Sequence, residues 1–448
     1  MSIPSKIVSV LLLFFITITA SSQEIKKGAV YSYARKIVDT MASESMHGRG
    51  YVNGGDSIAA NYLKTEFSKI GLKPFGGDYY QRLRFPINTF PGTIYIGFNL
   101  HNLKDNDVFS FNGHPGRNFI IDASCPSAYA DFGVAVFDST FCSEKAFKKF
   151  SRKVPKWYFI LVDDRNVKDK NKSVYFNRAK INEMKAAGII ELTEKLTWSQ
   201  SQVVSNYAKI QILRDSVPYS KSDKGFYDGG GGIDIKNKFI PNHQSQNVIG
   251  YIQGSEYPDS FIVYSAHYDH LGQMGKDVYF PGTNDNASGC AMLLNLAKYY
   301  AMPEHRPKCS IAFMAFCGEE VGLLGSKYYT EHPLFPLKNI KFLLNMDIMG
   351  TGEDGITVVN GTLFKTQFDK LKEINVQNNL IKDVKIRGKA ANSDHYFFAE
   401  NGVKACFIYT MGGIKAYHDI YDRPETLPLN EFEDIFKLIT KFGDYLQN

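Results

Sequence analysis

Cysteine is scarce. Six are present in 448 residues, at positions 125, 142, 290, 309, 317 and 406. They are too few and too scattered for a disulfide scaffold, and no two form a C-x-x-C metal pair. Cys125 and Cys142 are near enough in sequence to bridge in an oxidising compartment, whereas Cys290, Cys309 and Cys406 fall in apolar segments where free buried thiols are common. A charge excess is missing as well. The chain has 52 Lys+Arg against 46 Asp+Glu, a formal +6, mixed along its length, so it carries no electrostatic footprint for nucleic acid. Long hydrophobic runs are absent except for the fourteen residues Ile7 to Ala20, preceded by Lys6 and followed by Ser21 and Ser22. That pattern reads as a secretory signal. The other reading, an uncleaved anchor, would use a run shorter than the roughly 20 residues a spanning helix needs. No cysteine precedes Cys125, so the acceptor thiol of a lipid-anchored export signal is lacking. The expected mature protein is exported, periplasmic or secreted, with no stable membrane association.

What is present is the composition of a folded globular chain, 44% hydrophobic and 22% charged with 27 Tyr and 33 Phe. At about 150 residues per domain, the length suits two or three domains, or one domain with a large insertion. Periodicity predicts two opening helices between Ser32 and Phe75, one with an apolar face through Ala34, Ile37, Val38 and Met41 and one through Ala59, Ala60, Leu63 and Phe67. Strand-rich segments follow from Tyr80 to Phe137, then Trp157 to Val162 and a helix-to-strand run from Ala179 to Leu192. Gly229 to Gly232 are expected to form a turn or linker, because the Lys-Ser/Thr and helix start of a phosphate loop do not follow them. From Phe261 onward strands and helices alternate at short intervals. The expected fold class is α/β, a mostly parallel sheet with helices on both faces and an inserted smaller β-rich domain. The expected boundaries are a signal at 1–22, N-terminal helices joining the main domain at 23–93, the insert at 94–217 and the catalytic domain at 218–448.

Ligands of such sheets sit at the carboxyl ends of the strands, and polar residues collect at those ends. His267 and Asp269 follow the strand that ends at Ala266, Glu319 and Glu320 follow the one ending at Phe316, and Asp347 follows Phe342 to Asn345. Asp285 stands immediately before a helix. Taken singly, His267-x-Asp269 fits a surface hydrogen-bonded pair, Asp285 a helix cap, Glu319-Glu320 a solvated loop and Asp347 a cap. Four such groups at successive strand ends instead point to one metal site. Imidazole and carboxylate donors without Cys suit Zn²⁺ or another borderline divalent ion in an open, catalytic position.

The segments Ser265 to Gly272, Pro281 to Gly289, Gly318 to Ser326 and Asn345-Met346-Asp347 resemble four successive motifs of the two-zinc exopeptidase family, which includes bacterial leucyl aminopeptidases and glutamate carboxypeptidases. Tyr417-His418, followed by Asp422, resembles the fifth. The resemblance implies the zinc-exopeptidase, phosphorylase/hydrolase-like fold and two Zn²⁺ per chain. It makes Asp285 the carboxylate bridging both ions, with His267 and Asp347 completing one and Glu320 and His418 the other. It gives Asp269 the part of accepting the second imidazole N–H of His267, and leaves Glu319 as general base toward a metal-bridged water. The implied activity is hydrolysis of peptide substrates, with an aminopeptidase favoured because a free substrate amine can bind one metal.

Other residues near these motifs have parts of their own. Ser393-Asp394-His395 resembles a family motif lining the substrate pocket, or else caps the helix beginning near His395. His270 is expected to support the ligands rather than bind, Cys317 to be a small buried side chain, and Asp422 to position the loop of His418. The segment from Ile94 to Val217 resembles a protease-associated domain, whose removal is expected to alter specificity more than metal content. Alternatives on the same scaffold are a one-zinc glutaminyl cyclase, a carboxypeptidase and a non-catalytic binding protein. Against the last, all five ligand positions and Glu319 are filled.

Overall fold

The computed structural model describes residues 28–101, 108–165, 167–217 and 228–448. The apolar run Ile7 to Ala20 lies outside them, and among the described residues no helix is long and apolar enough to cross a membrane. Two large sheets organise the chain. In the first, the neighbouring strands Cys309–Phe316, Tyr257–His267, Ile340–Met346 and Ala405–Thr410 all run parallel. The flanks are antiparallel: Lys238–Ile252 pairs with Cys309–Phe316, and Ile356–Val359 with Ala405–Thr410. The sheet is therefore mixed, with a parallel centre.

A strand with both faces covered has no polar face, and all eight residues of Cys309–Phe316 are buried. Successive side chains point to opposite faces. Ile311, Phe313 and Ala315 join Ile262, Tyr264 and Ala266 in one core, while Ala312, Met314 and Phe316 join Phe261 and Val263 in the other. The first core takes in the helices Ala29–Met41, Gly55–Ile70, Ser288–Ala301 and Phe432–Leu446; the second takes Tyr329 and Phe398 from Leu324–Glu331 and His395–Glu400. Both N-terminal helices thus pack on the main sheet, with Ala34, Ile37, Val38, Met41, Ala59, Ala60, Leu63 and Phe67 inside.

The second sheet is the insert, in the order Val108–Asn112, Ile94–His101, Asp228–Ile235, Ala128–Phe137, Phe159–Val162, Gly188–Thr193, Ala208–Leu213, Phe119–Ile121. The glycines 229 to 232 are not a turn. They lie inside the strand Asp228–Ile235, which is paired antiparallel on both sides. A Cβ at Gly229 would stand 2.2 Å from the carbonyl oxygen of Asn99, and one at Gly231 2.3 Å from that of Gly97, so close backbone approach demands glycine here. Residues beyond position 217 consequently belong to the insert's sheet. Helices Glu144–Lys153 and Lys170–Lys180 cover one face. The other face packs Ile96, Phe132 and Ile210 in one cluster with Leu271, Met274, Phe280 and Ile420, and these last four come from loops beside the candidate ligands. All six cysteines are free thiols, so Cys125 and Cys142 do not bridge.

Candidate metal centre

The parallel centre of the main sheet delivers the polar groups to one edge. His267 ends its strand, and Asp347 follows Met346 on the neighbour to one side. Glu319 and Glu320 lie just beyond Phe316 on the other side. Asp285 sits in the turn leading into Ser288–Ala301, and His418 lies in the segment after Ala405–Thr410. His267 and His418, 151 positions apart in sequence, are brought to one edge because parallel strands end in register.

The geometry forms two clusters that share one carboxylate. Nε2 of His267 is 3.2 Å from Asp285 Oδ1 and 3.2 Å from Asp347 Oδ1. Nε2 of His418 is 3.1 Å from Asp285 Oδ2 and 3.2 Å from Glu320 Oε2. Both Nδ1 atoms are already committed, His267 donating to the carbonyl of Asp269 at 3.1 Å and His418 to that of Trp198 at 3.1 Å. In these tautomers each Nε2 directs a lone pair at two carboxylate oxygens, an arrangement that repels unless a cation lies between them. Ligands bonded at 2.0–2.1 Å to a tetrahedral Zn²⁺ stand about 3.3 Å apart, close to the separations found. The donor set therefore fits a pair of such ions. Glu319 offers a further oxygen within 4.8 Å of the His267 and Asp347 donors.

Without metal, charge in the site is held by protons. Burial works against charging His418, but Glu320 and Asp285 outweigh it and raise the imidazole to about 11. His267 follows the same pattern, with Asp347 and Glu319 prevailing over burial. Burial also opposes ionisation of Asp285, yet His267 and His418 hold it well below the usual carboxylate range. Glu320 is held at about 2, burial being overcome chiefly by His418. Glu319 behaves oppositely: burial, with Asp347 and Glu320 adding to it, pushes its carboxyl well up against the opposing pull of His267. Adjacent glutamates in one loop thus have opposite proton affinities, which is the separation expected of a ligand beside a proton acceptor.

The surrounding residues correct several expectations. Asp269 does not use its carboxylate as the nearest acceptor for His267, whose Nδ1 lies 3.7 Å from Oδ1 and closer to the backbone carbonyl. That carboxylate instead takes the Tyr51 hydroxyl at 2.6 Å and the backbone N–H groups of Glu319 and Glu320, each at 3.3 Å. It aims the Glu-Glu loop. His270 stands 2.6 Å from Glu320 Oε1 through Nδ1, and so holds a candidate ligand. Asp422 positions the loop of Asp285 rather than that of His418, accepting the backbone N–H of Asn284 at 2.8 Å and of Asp285 at 3.0 Å. Ser393 donates to Asp347 Oδ2 at 2.8 Å, and neither it nor Asp394 caps the following helix. Cys317 is fully buried, its backbone N–H bonded to Asn247.

Three residues escaped the sequence reading. Arg49, with no solvent exposure, spends its guanidinium on the carbonyls of Met41, Tyr268, Pro281, Gly282 and Asp285 at 2.6–3.2 Å. Its glycine bracket was the available signal, since a Cβ on Gly48 or Gly50 would come within 2.4 Å of Gly272. Tyr51 accepts the Gly318 N–H at 3.0 Å while donating to Asp269. Trp198 belongs to the insert. Tyr51→Phe retains the ring packing on Phe85 and removes both hydrogen bonds, so a loss of about 1–3 kcal/mol is expected, read from the denaturation midpoint of the purified variant.

Residues 247–443 match the model of peptidase family M28. The match takes in all five candidate ligands, from His267 to His418, and Glu319 with them. Relatives of the chain include "Aminopeptidase YwaD" of Bacillus subtilis, 30% identical over 197 residues that cover 43% of this chain and 41% of that one. A "Probable zinc metalloprotease" of Pyrenophora teres f. teres is 37% identical over 114 residues, 25% of this chain and 24% of its own. The chain thus spans only about a quarter to two-fifths of the length of these curated relatives. Among solved structures, BSAP, a zinc aminopeptidase from Bacillus subtilis, aligns with a TM-score of 0.64 at 18% identity, over 92% of this chain and 94% of that one. A peptidase M28 precursor from Shewanella amazonensis SB2B aligns at 0.65 and 15% identity, over 94% and 95%. These likenesses show a shared fold, and their coverage reaches well past the M28 segment itself.

Proposed function

We propose that the protein is an exported dinuclear zinc aminopeptidase that removes N-terminal residues from peptides. The observation that carries this reading is the pair of imidazole Nε2 atoms, each facing two carboxylate oxygens at 3.1–3.2 Å, with Asp285 contributing one oxygen to each pair. His267 and Asp347 would hold one ion, Glu320 and His418 the other, and Asp285 both. Bound zinc supplies Lewis acidity, activating water near neutral pH and polarising a peptide carbonyl. The chain's own residues do the rest. Glu319 accepts the proton of the attacking water and returns it to the leaving amine, its carboxyl favoured in the protonated form by burial. Asp269, through the backbone N–H groups of Glu319 and Glu320, keeps base and ligand on separate headings. The name of the Bacillus relative supports action at a free amino terminus, and the apolar run Ile7 to Ala20 supports export.

The test is a panel of aminoacyl and N-blocked peptides given to purified protein, with and without chelator and added Zn²⁺, alongside metal analysis. Two equivalents of zinc and chelator-sensitive release of unblocked N-terminal residues are expected. Cleavage of N-blocked substrates would overturn the aminopeptidase reading in favour of a carboxypeptidase. One equivalent without hydrolysis would favour a cyclase, and no metal at all a binding protein.

A further inference from the structure

The insert reaches the metal centre through the segment of residues 195–202, between its strands Gly188–Thr193 and Ala208–Leu213. Trp198 and His418 form a reciprocal pair: the Trp198 N–H donates to the His418 carbonyl at 2.9 Å, and the His418 Nδ1–H donates to the Trp198 carbonyl at 3.1 Å. Lys195 donates to the carbonyls of Lys415 and Tyr417 at 3.1 and 3.0 Å and pairs with Asp419 at 3.0 Å. It therefore grips the loop on both sides of His418, which adopts a left-handed backbone at φ 54°, a conformation costly for a side chain with a Cβ unless surroundings enforce it. The same segment touches two more loops of the site. Gln202 donates to the carbonyl of Val321 at 2.9 Å, one residue past Glu320, and Gln200 donates to that of Leu271, one residue past His270.

Trp198 is itself fixed. Its ring is buried, its Nε1–H donates to Ile121 of the insert at 2.9 Å, and it stacks on Phe280 with centroids 4.7 Å apart. Phe280 leads directly into Pro281 to Asp285. The indole thereby ties the insert's core to the loop of the shared carboxylate. The contacts concentrate on His418: its loop shares four hydrogen bonds and an ion pair with segment 195–202, against one hydrogen bond each at Val321 and Leu271, whereas His267 donates to the carbonyl of Asp269 and Asp347 accepts from Ser393, both of the main domain.

We propose that segment 195–202 is a built-in positioning element of one metal subsite, with Trp198 selecting the His418 tautomer and Lys195 holding its loop. The inference rests on the dinuclear reading given above. It reverses the expected role of the insert, whose loss should change metal content at the His418 subsite and not specificity alone. Outer partners of metal-bound histidines typically contribute 10–100-fold in affinity.

The experiment is a competitive zinc titration of the full-length chain against a chromophoric chelator, resolving two binding steps. Wild type, Lys195→Met, Trp198→Phe and His418→Ala are compared. Lys195 is partly exposed and its substitution leaves the core untouched, while Trp198→Phe keeps an aromatic ring in place and drops the bond to Ile121. The expected result is about 10–100-fold weaker zinc binding in Lys195→Met, confined to the step that His418→Ala abolishes, with the other step unchanged. Equal weakening of both steps, or wild-type titration in Lys195→Met and Trp198→Phe alike, would overturn the inference while leaving the dinuclear reading intact. Fewer than two equivalents in the wild type would overturn that reading, and this inference with it.

Discussion

Glu319→Gln should lose about 10²–10⁴-fold in kcat while keeping its full complement of zinc and its fold. The amide matches the carboxylate in shape, so the loop that Asp269 aims through the backbone N–H groups of Glu319 and Glu320 is undisturbed. Glu320, His418, Asp285, His267 and Asp347 remain in place as donors. What disappears is a group able to take a proton. Burial, Asp347 and Glu320 all favour the protonated state of this carboxyl, and His267 opposes them. A carboxyl in these surroundings holds a proton firmly once it has accepted one. Steady-state kinetics paired with metal analysis on one preparation separates the outcomes. Low kcat with full metal identifies the proton acceptor. Low kcat with reduced metal would make Glu319 a ligand, and full activity would remove it from the mechanism.

How much of this could be read from the sequence depended on whether the signal was carried by side-chain type or by backbone approach. Buried central strands announce themselves as apolar runs that stop abruptly at a polar residue, and Phe261 to Ala266 before His267 is such a run. The closing helix, Phe432–Leu446, buries Phe432, Ile435, Phe436, Ile439 and Phe442, apolar residues at the three- and four-residue spacing that side-chain type displays openly. The glycines 229 to 232 misled because glycine serves turns and crowded strands equally; only the neighbouring carbonyls of Gly97 and Asn99 distinguish the two. The partners of His267 and His418 were invisible for a related reason. They are the backbone carbonyls of Asp269 and Trp198, and a carbonyl leaves no mark on residue identity. Likewise the part of Asp422 depends on which loop the chain brings beside it, a fact of tertiary packing. Residue type named the groups that meet at the candidate centre, whereas their supports became legible only in three dimensions.

Asp285→Asn is expected to have the broadest effect of any single substitution, because one residue serves both clusters. Its two oxygens lie 3.2 and 3.1 Å from the two histidine Nε2 atoms. An asparagine keeps one oxygen and turns an NH₂ group toward the other cation, and it removes the negative charge common to both subsites. Zinc content should fall from two equivalents to substantially less than one, and turnover to background. Stability supplies an independent readout. At free zinc about 1,000 times Kd, one site contributes about 4 kcal/mol to the folded state, so chelation should lower the melting temperature of the wild type and leave that of Asp285→Asn unmoved. The proton balance gives the direction of the pH dependence. In the metal-free chain His418 is raised to about 11, so at neutral pH zinc must displace its proton, and uptake should tighten as pH rises through neutrality and release protons to the buffer. Calorimetry in two buffers of different ionisation enthalpy measures that release. A wild type whose melting temperature ignores chelator, or an Asp285→Asn variant that still binds two zinc ions, would dismantle the shared-carboxylate assignment.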